Sequence, residues 1–245
     1  MDNLILTHEQ DNILTITLNR FDKKNALNSQ MYQTLTKVFN HASESDHIRC
    51  VVIQGNESCF SAGNDLQDFL ESAESGDLAA LDFIKVLGVF KKPLVAAVAG
   101  AAVGIGSTML LHCDYVVAAN NSKFKLPFSQ LGLCPEAGSS MLLPLRIGHS
   151  KAFELLVLGK LFMADEASDY GIVNQVCEPS EVLSIANQVA TTITKLPYDS
   201  VLTTKKLMHQ SAQANIANII ATEGEEFKRL MQTDECKNIL NQFFK

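Results

Sequence analysis

The sequence predicts an α/β protein, with short buried strands alternating with helices and a purely helical region at the C-terminal end. Three observations lead there. Continuously apolar runs bounded by glycine or proline, Cys50 to Gln54 and Leu94 to Ala99 among them, read as buried strands. A strand–turn–helix pattern recurs at residues 50–70 and 94–112, each time with glycine at the turn. From Pro197 onward only helical patterns remain, in roughly three pieces. No low-complexity linker separates the parts, so the chain divides into a core over 1–195 and a helical region over 196–245.

The elements follow in order. Leu4 to Leu6 and Ile13 to Leu18 form a strand pair turned at Glu9-Gln10-Asp11-Asn12, the second strand alternating Leu14, Ile16 and Leu18 with threonines. A basic loop, Asn19 to Asn25, precedes a helix capped by Asn28 or Ser29. That helix runs to about Ser43, with Met31, Leu35, Val38, Phe39 and Ala42 on one face. After the strand at Cys50, the small-residue turn FSAGNDL (60–66) opens a helix, and another spans Asp77 to Phe90. Leu94 to Ala99 and Tyr115 to Ala119 are strands, with a buried helix starting at Ser107 between them. Phe124 to Leu126 is a strand, and Pro127 begins a short helix closed by Gly132. A tight loop, Leu133 to Gly138, leads into a helix through Leu145. Ser150 to Leu158, Ala164 to Tyr170 and Glu181 to Thr194 are helices, with a strand at Val173 to Val176.

Composition narrows the function. The 245 residues, 47% hydrophobic and 19% charged, suit a soluble globular fold with a large core. A net charge of −7 without a basic cluster argues against a nucleic-acid partner. Six scattered cysteines with no C-x-x-C fit reduced, buried thiols and indicate no metal site. The first residues lack a secretory signal and the last, NQFFK, are not a peroxisomal address, so the expected location is cytoplasmic.

The stretch from Pro93 to Cys113 is uncharged and interrupted by Gly100, Gly104 and Gly106. It is Ala- and Gly-rich and has no second apolar segment of its kind, which disfavours a membrane span. A dinucleotide fingerprint fails because its third glycine falls on Met109. Two readings remain open: a core helix packed closely through glycines, or a turn presenting backbone N–H groups to an oxyanion. In the second reading the donors are Asn64, after Gly63, and Ile105, after Gly104. Glu136 reads, on its own, as an exposed acid at a helix start. His112 reads as a core histidine, and Cys134, with no histidine nearby in sequence, as a packing residue.

Six motifs in this order and spacing, NRFDKKNALN (19–28), FSAGNDL (60–66), AVAGAAVGIG (97–106), CDYVVA (113–118), LPFSQLGLCPEAGSS (126–140) and the helical tail, resemble the crotonase (enoyl-CoA hydratase/isomerase) superfamily. The resemblance covers nearly the whole chain. It implies a spiral of β-β-α units, and a helical C-terminal region that assembles trimers or dimers of trimers. It also implies an acyl-CoA thioester substrate whose CoA is the only cofactor-like group, with Asn64 and Ile105 as oxyanion donors. Hydratases of the family use two glutamates, at positions held here by Thr108 and Phe128. Neither can transfer a proton to carbon, so hydration is not expected. Glu136 instead resembles the single base of peroxisomal-type Δ3,Δ2-enoyl-CoA isomerases, a likeness shared by KKNALNSQMY (23–32) and PFSQLG (127–132). Animal members often carry an extra acyl-CoA-binding domain at the N-terminus, and the first residues here are not expected to belong to one.

On this resemblance the substrate contacts are Lys24, Ala26, Ala62, Asn64, Asp65, Leu66, Gly104, Ile105, Phe128, Leu131 and Pro135, with Leu133 a further wall near Glu136. Asp65 caps the helix that follows it. Arg20, Lys23 and Lys24 read on their own as a solvated loop, whereas the resemblance implies that this loop lies near the CoA phosphates or adenine and that Lys245 plays a similar part from a neighbouring subunit. The expected activity is Δ3,Δ2-enoyl-CoA isomerisation. The alternatives are a hydratase-like lyase or other acyl-CoA enzyme, and a non-catalytic acyl-CoA-binding module.

Overall fold

The computed structural model describes residues 3–75 and 78–242. In chain order the elements are β1 (Ile5–Gln10), β2 (Ile13–Leu18), α1 (Ser29–Glu44), β3 (Cys50–Gln54), β4 (Cys59–Ser61), α2 (Leu66–Ser75) and α3 (Ala79–Gly88). Then come β5 (Leu94–Val98), β6 (Ala101–Val103), α4 (Ile105–Thr108), β7 (Tyr115–Ala119), β8 (Lys123–Lys125), α5 (Ser139–Ile147) and α6 (His149–Leu156). The last are β9 (Phe162–Met163), α7 (Ala164–Asp169), β10 (Gln175–Cys177), α8 (Val182–Thr194), α9 (Tyr198–Met231) and α10 (Asp234–Asn241).

The strands form two sheets, ordered β1-β2-β3-β5-β7-β10 and β4-β6-β8-β9, and from β3 to β8 successive strands alternate between them. All pairings are parallel except β1 with β2 and β8 with β9. Each coil of chain thus lays one strand in each sheet and returns through helix, which is a spiral of β-β-α units. The corners are tight: at Gly100 (φ 64°) a Cβ would stand 1.8 Å from the Ser58 carbonyl oxygen, so only glycine lets one coil rest on the previous one.

The central strands of the larger sheet, β3, β5 and β7, are almost continuously apolar because both faces are covered, whereas the edge strand β1 is largely exposed. Cys50, Val52, Val95, Ala97 and Val117 face Val182, Ala186 and Ala190 of α8, while Val51, Ile53, Ala96, Val98 and Val116 join the main core. The β1–β2 hairpin turns on Asp11 and Asn12, both with positive φ, as a two-residue hairpin requires.

Four sequence expectations need correction. The helix expected from Asp77 begins at Ala79; Asp77 itself lies outside the described residues, as does Lys245. The buried helix after Gly104 is one turn, Ile105–Thr108, continued as a 3-10 turn Met109–His112. After Pro127 there is only a 3-10 turn, Ser129–Leu131. The C-terminal region holds two helices rather than three pieces, one of them 34 residues long. These helices form no core of their own: Ile216, Ile220, Phe227 and Met231 pack into the main core. Among the described residues no helix is long and apolar enough to cross a membrane.

Candidate active site

The turn between β4 and α2 is stitched to the segment before α1. Ala62 N donates to Lys24 O (2.9 Å), Leu27 N to Gly63 O (2.8 Å) and Asp65 N to Leu27 O (2.9 Å). Gly63 N is taken by the Ser61 hydroxyl (3.2 Å). With its neighbours engaged, the Asn64 N–H has no acceptor among the described residues. The second turn behaves alike. Gly104 N donates to Lys125 O (2.9 Å), and Ser107 and Thr108 N close onto Gly104 O. Ile105, first residue of α4, therefore has an N–H with no intrahelical acceptor. The two turns abut: a Cβ at Gly63 would meet Val103 O at 2.9 Å and Gly104 N at 3.9 Å.

Buried side chains set the first turn. The Asn25 amide donates to the Cys59 and Phe60 carbonyls (3.2 and 3.1 Å) and accepts from Arg20 N (2.8 Å). Asp65 Oδ1 accepts from Gln67 N and Asp68 N, capping α2, while its Oδ2 pairs with Arg20 at 2.6 Å. Against the upward push of burial, these bonds hold the Asp65 carboxyl below its usual range. The Tyr32 hydroxyl, on α1, donates to the Asn64 side-chain oxygen.

Glu136 lies in the loop before α5 and is only 4% exposed. Its Oε1 accepts from the Thr108 hydroxyl at 2.6 Å. Thr108 stands one helical turn after Ile105, so a single short helix carries a free N–H at its start and holds a carboxyl at its end. Burial pushes the Glu136 carboxyl up to about 8; the Thr108 bond opposes this and the charge of Glu223 adds to it. Burial, then the charges of Glu136 and Asp68, raise the Tyr32 phenol well above its usual range, which places the phenol in the field of that carboxyl. The loop is held in unusual backbone: Ala137 and Gly138 have φ of 58° and 71°. The His112 ring donates from Nε2 to Ala137 O at 2.7 Å, and burial lowers its pKa to about 4, so it is a neutral core histidine. Cys134 is no thiolate nucleophile, since burial and the Glu223 charge push it up to about 11.

A cleft of about 690 Å³ opens beside the two turns. Of the residues expected to meet substrate, Ala26, Ala62, Asn64, Asp65, Leu66, Gly104, Phe128 and Leu131 line it, as does Leu133. Lys24, Ile105, Pro135 and Glu136 do not. Lys24 is exposed and turned in left-handed backbone at the end of a 3-10 turn, leaving Lys23, Arg20 and Lys125 as the basic groups of the cleft. Glu136 and Ile105 are both buried. Phe69 of α2 and Phe227 of α9 close one side, with ring centroids 5.6 Å apart and edge-to-face.

Sequence reasoning missed Tyr32, Asn25, Lys125, Phe227 and Glu223. Tyr32 sits beside the apolar face of α1, where helical period could have flagged it; the others depend on contacts far apart in sequence. Among the described residues no group of His, Cys, Asp and Glu could hold a metal ion.

Comparison with known proteins agrees on the family and not on the reaction, since relatives named as isomerases and as probable hydratases both match. A family described as Enoyl-CoA hydratase/isomerase matches residues 8–245. Enoyl-CoA delta isomerase 2 of Rattus norvegicus is 35% identical over 98% of this chain, and this chain spans 63% of that protein's length. The 1,2-epoxyphenylacetyl-CoA isomerase of Escherichia coli is 31% identical over 94% of this chain and 90% of its own length. Among solved structures, Pseudomonas aeruginosa OdaA superposes with a TM-score of 0.96 at 39% identity, covering 99% of both chains.

Proposed function

The chain belongs to the enoyl-CoA hydratase/isomerase family, and from that premise we propose that it is a Δ3,Δ2-enoyl-CoA isomerase. The observation that carries this reading is a buried carboxyl, Glu136, bonded to the helix whose first N–H is free. The positions where two acids would activate water hold Thr108, which is occupied with Glu136, and Phe128, a cleft wall.

The thioester oxygen sits between Asn64 N–H and Ile105 N–H, which stabilise the enolate as charge develops. Glu136 takes a proton from C2, the double bond moves from C3–C4 to C2–C3, and the same carboxyl returns the proton to C4. A group that must both accept and release a proton works best with a pKa near the working pH. A carboxyl at about 8 meets that condition. The apolar walls at Leu66, Val103, Phe128, Leu131 and Leu133 take the acyl tail, and Lys23 and Lys125 face the phosphates. The same family likeness argues for a trimer or dimer of trimers, with exposed Leu145, Phe153, Leu158 and Leu161 available to cover.

Assays with 3-enoyl-CoA and 2-enoyl-CoA esters side by side test the proposal. Isomerisation of the first, abolished in Glu136→Gln with ester binding retained, is expected. Rapid hydration of the second, or full activity in Glu136→Gln, would refute it. The Escherichia coli relative named for epoxyphenylacetyl-CoA favours a second reading, isomerisation of a ring-bearing CoA ester by the same cradle. Turnover of that ester and not of 3-enoyl esters would select it.

A further inference from the structure

Glu223 belongs to α9, yet it is buried against the loop that carries Glu136. Its carboxylate accepts from Gly138 N at 2.6 Å, from Ser140 N at 3.0 Å and from the Ser140 hydroxyl. These are the N–H groups of the cap residue and of the second residue of α5, at a helix start that ordinarily takes a local Ser, Thr, Asp or Asn as its acceptor. Here the residue at that position is Gly138, with no side chain, and the acceptor arrives from 85 residues away. Together with His112 on Ala137 O, Glu223 pins both left-handed residues that follow Glu136.

Capping alone asks only for an acceptor. A second buried carboxylate within the field of the first costs more than a neutral acceptor would, and that excess calls for a reason. The groups facing Glu136 are few. Thr108 of α4 donates to it, Tyr32 of α1 is a neutral phenol, Cys134 on its own loop is a neutral thiol, and His112 stays neutral. Among the described residues Glu223 is the charged group that bears on the Glu136 carboxyl; burial raises its own pKa, and the bonds from Ser140 and Gly138 oppose that and favour its ionised form.

We infer that Glu223 is a positioning residue for the base: it fixes the loop that presents Glu136, and its negative charge strengthens that carboxyl as a proton acceptor. The inference rests on Glu136 being the base. Without Glu223 the loop is free to relax from its left-handed backbone, and the remaining carboxyl ionises more readily but pulls more weakly on a C2 proton.

The test uses the full chain with Glu223→Gln, which removes the charge, and Ser140→Ala, which removes one anchor and keeps the charge. Steady-state kinetics on a 3-enoyl-CoA are measured across pH. The Glu136 carboxyl is titrated by infrared difference spectroscopy without substrate, its band identified by loss in Glu136→Gln. In Glu223→Gln the acid limb of kcat and the carboxyl titration both move to lower pH by about half a unit or more. Its plateau kcat falls about tenfold while KM stays within about twofold. In Ser140→Ala kcat falls and the titration stays in place. A folded Glu223→Gln with wild-type titration and kcat overturns the inference. If that variant does not fold, Glu223→Asp and Ser140→Ala decide, and wild-type kcat in both overturns it. A titration that moves in a protein that never isomerises 3-enoyl-CoA defeats the functional reading and leaves the coupling standing.

Discussion

The two glycine turns that present N–H groups share a geometry and differ in almost everything around it. The turn at residues 62–65 is polar: three main-chain bonds tie it to residues 24–27, and Asp65 caps a ten-residue helix while pairing with Arg20. The turn at residues 103–105 has no charge and no side-chain cap, and its helix is four buried residues long. The first lines the cleft through Asn64 and Asp65; the second reaches it at Val103 and Gly104 and runs on into the interior, where Thr108 holds Glu136. Under the proposed function both turns would hold the thioester oxygen, and only the second would also hold the base. A shared motif fixes where an N–H points, and the second layer decides what stands beside it.

The largest expected effect separates chemistry from stability at the interior turn. Glu136→Gln should lower isomerisation by about 10²–10⁴-fold, the usual worth of general base catalysis. The same change should stabilise the fold. A carboxyl raised from 4.5 to about 8 on folding contributes stability that is full below pH 4.5 and lost as pH climbs through about 8. The melting-temperature gain of Glu136→Gln over wild type should therefore grow from mildly acid to alkaline pH. A gain that does not depend on pH would contradict burial of an ionisable group there.

Next in size is the contrast between the turn glycines. Gly63→Ala sets a methyl 2.9 Å from Val103 O at φ 96°, and should cost about 2 kcal/mol or more in denaturant unfolding. Gly104→Ala meets nothing within 4 Å, though its φ of 53° is left-handed. It should cost about 1 kcal/mol in stability while raising KM, because its methyl enters the cleft. Equal losses at both would mean the turns do not differ in packing.

Smaller still are the supporting hydroxyls. Thr108→Val removes a bond that favours the ionised carboxyl, so the acid limb of the rate profile should shift to higher pH and kcat at neutral pH fall about tenfold. Tyr32→Phe frees the Asn64 side chain on the other turn and should lower kcat without moving that limb. If both variants shift it equally, the division of labour between the turns is wrong. Smallest is Asp65→Asn, which loses the Arg20 ion pair and weakens the α2 cap, worth about 1 kcal/mol in thermal unfolding with kcat near wild type.

Much of the fold was legible because its strands are short apolar runs with sharp ends; Cys50–Gln54 and Tyr115–Ala119 occupy the residues their pattern indicated. The three-residue strands Cys59–Ser61 and Ala101–Val103 were not, since three small residues carry no measurable period. The 34-residue α9 looked broken because Leu207 and Met208 are exposed and its inward residues gather towards the far end, at Ile216, Ile220 and Phe227. At the site, Asn64 and Ile105 stood out as residues following turn glycines. Arg20 and Lys24 could not be told apart in a basic loop: Arg20 folds in to meet Asp65, and Lys24 points to solvent. Taken alone, Glu136 read as an exposed acid; only the family resemblance gave it an apolar setting shielded from water, and it lies 4% exposed.

Glu223 and Phe227 stand four positions apart on α9, so they share one side of the same rod. One end of that short span meets Phe69 in the cleft wall, and the other grips the loop bearing Glu136. A substitution at Phe227 is therefore expected to disturb that loop as well as the wall of the cleft.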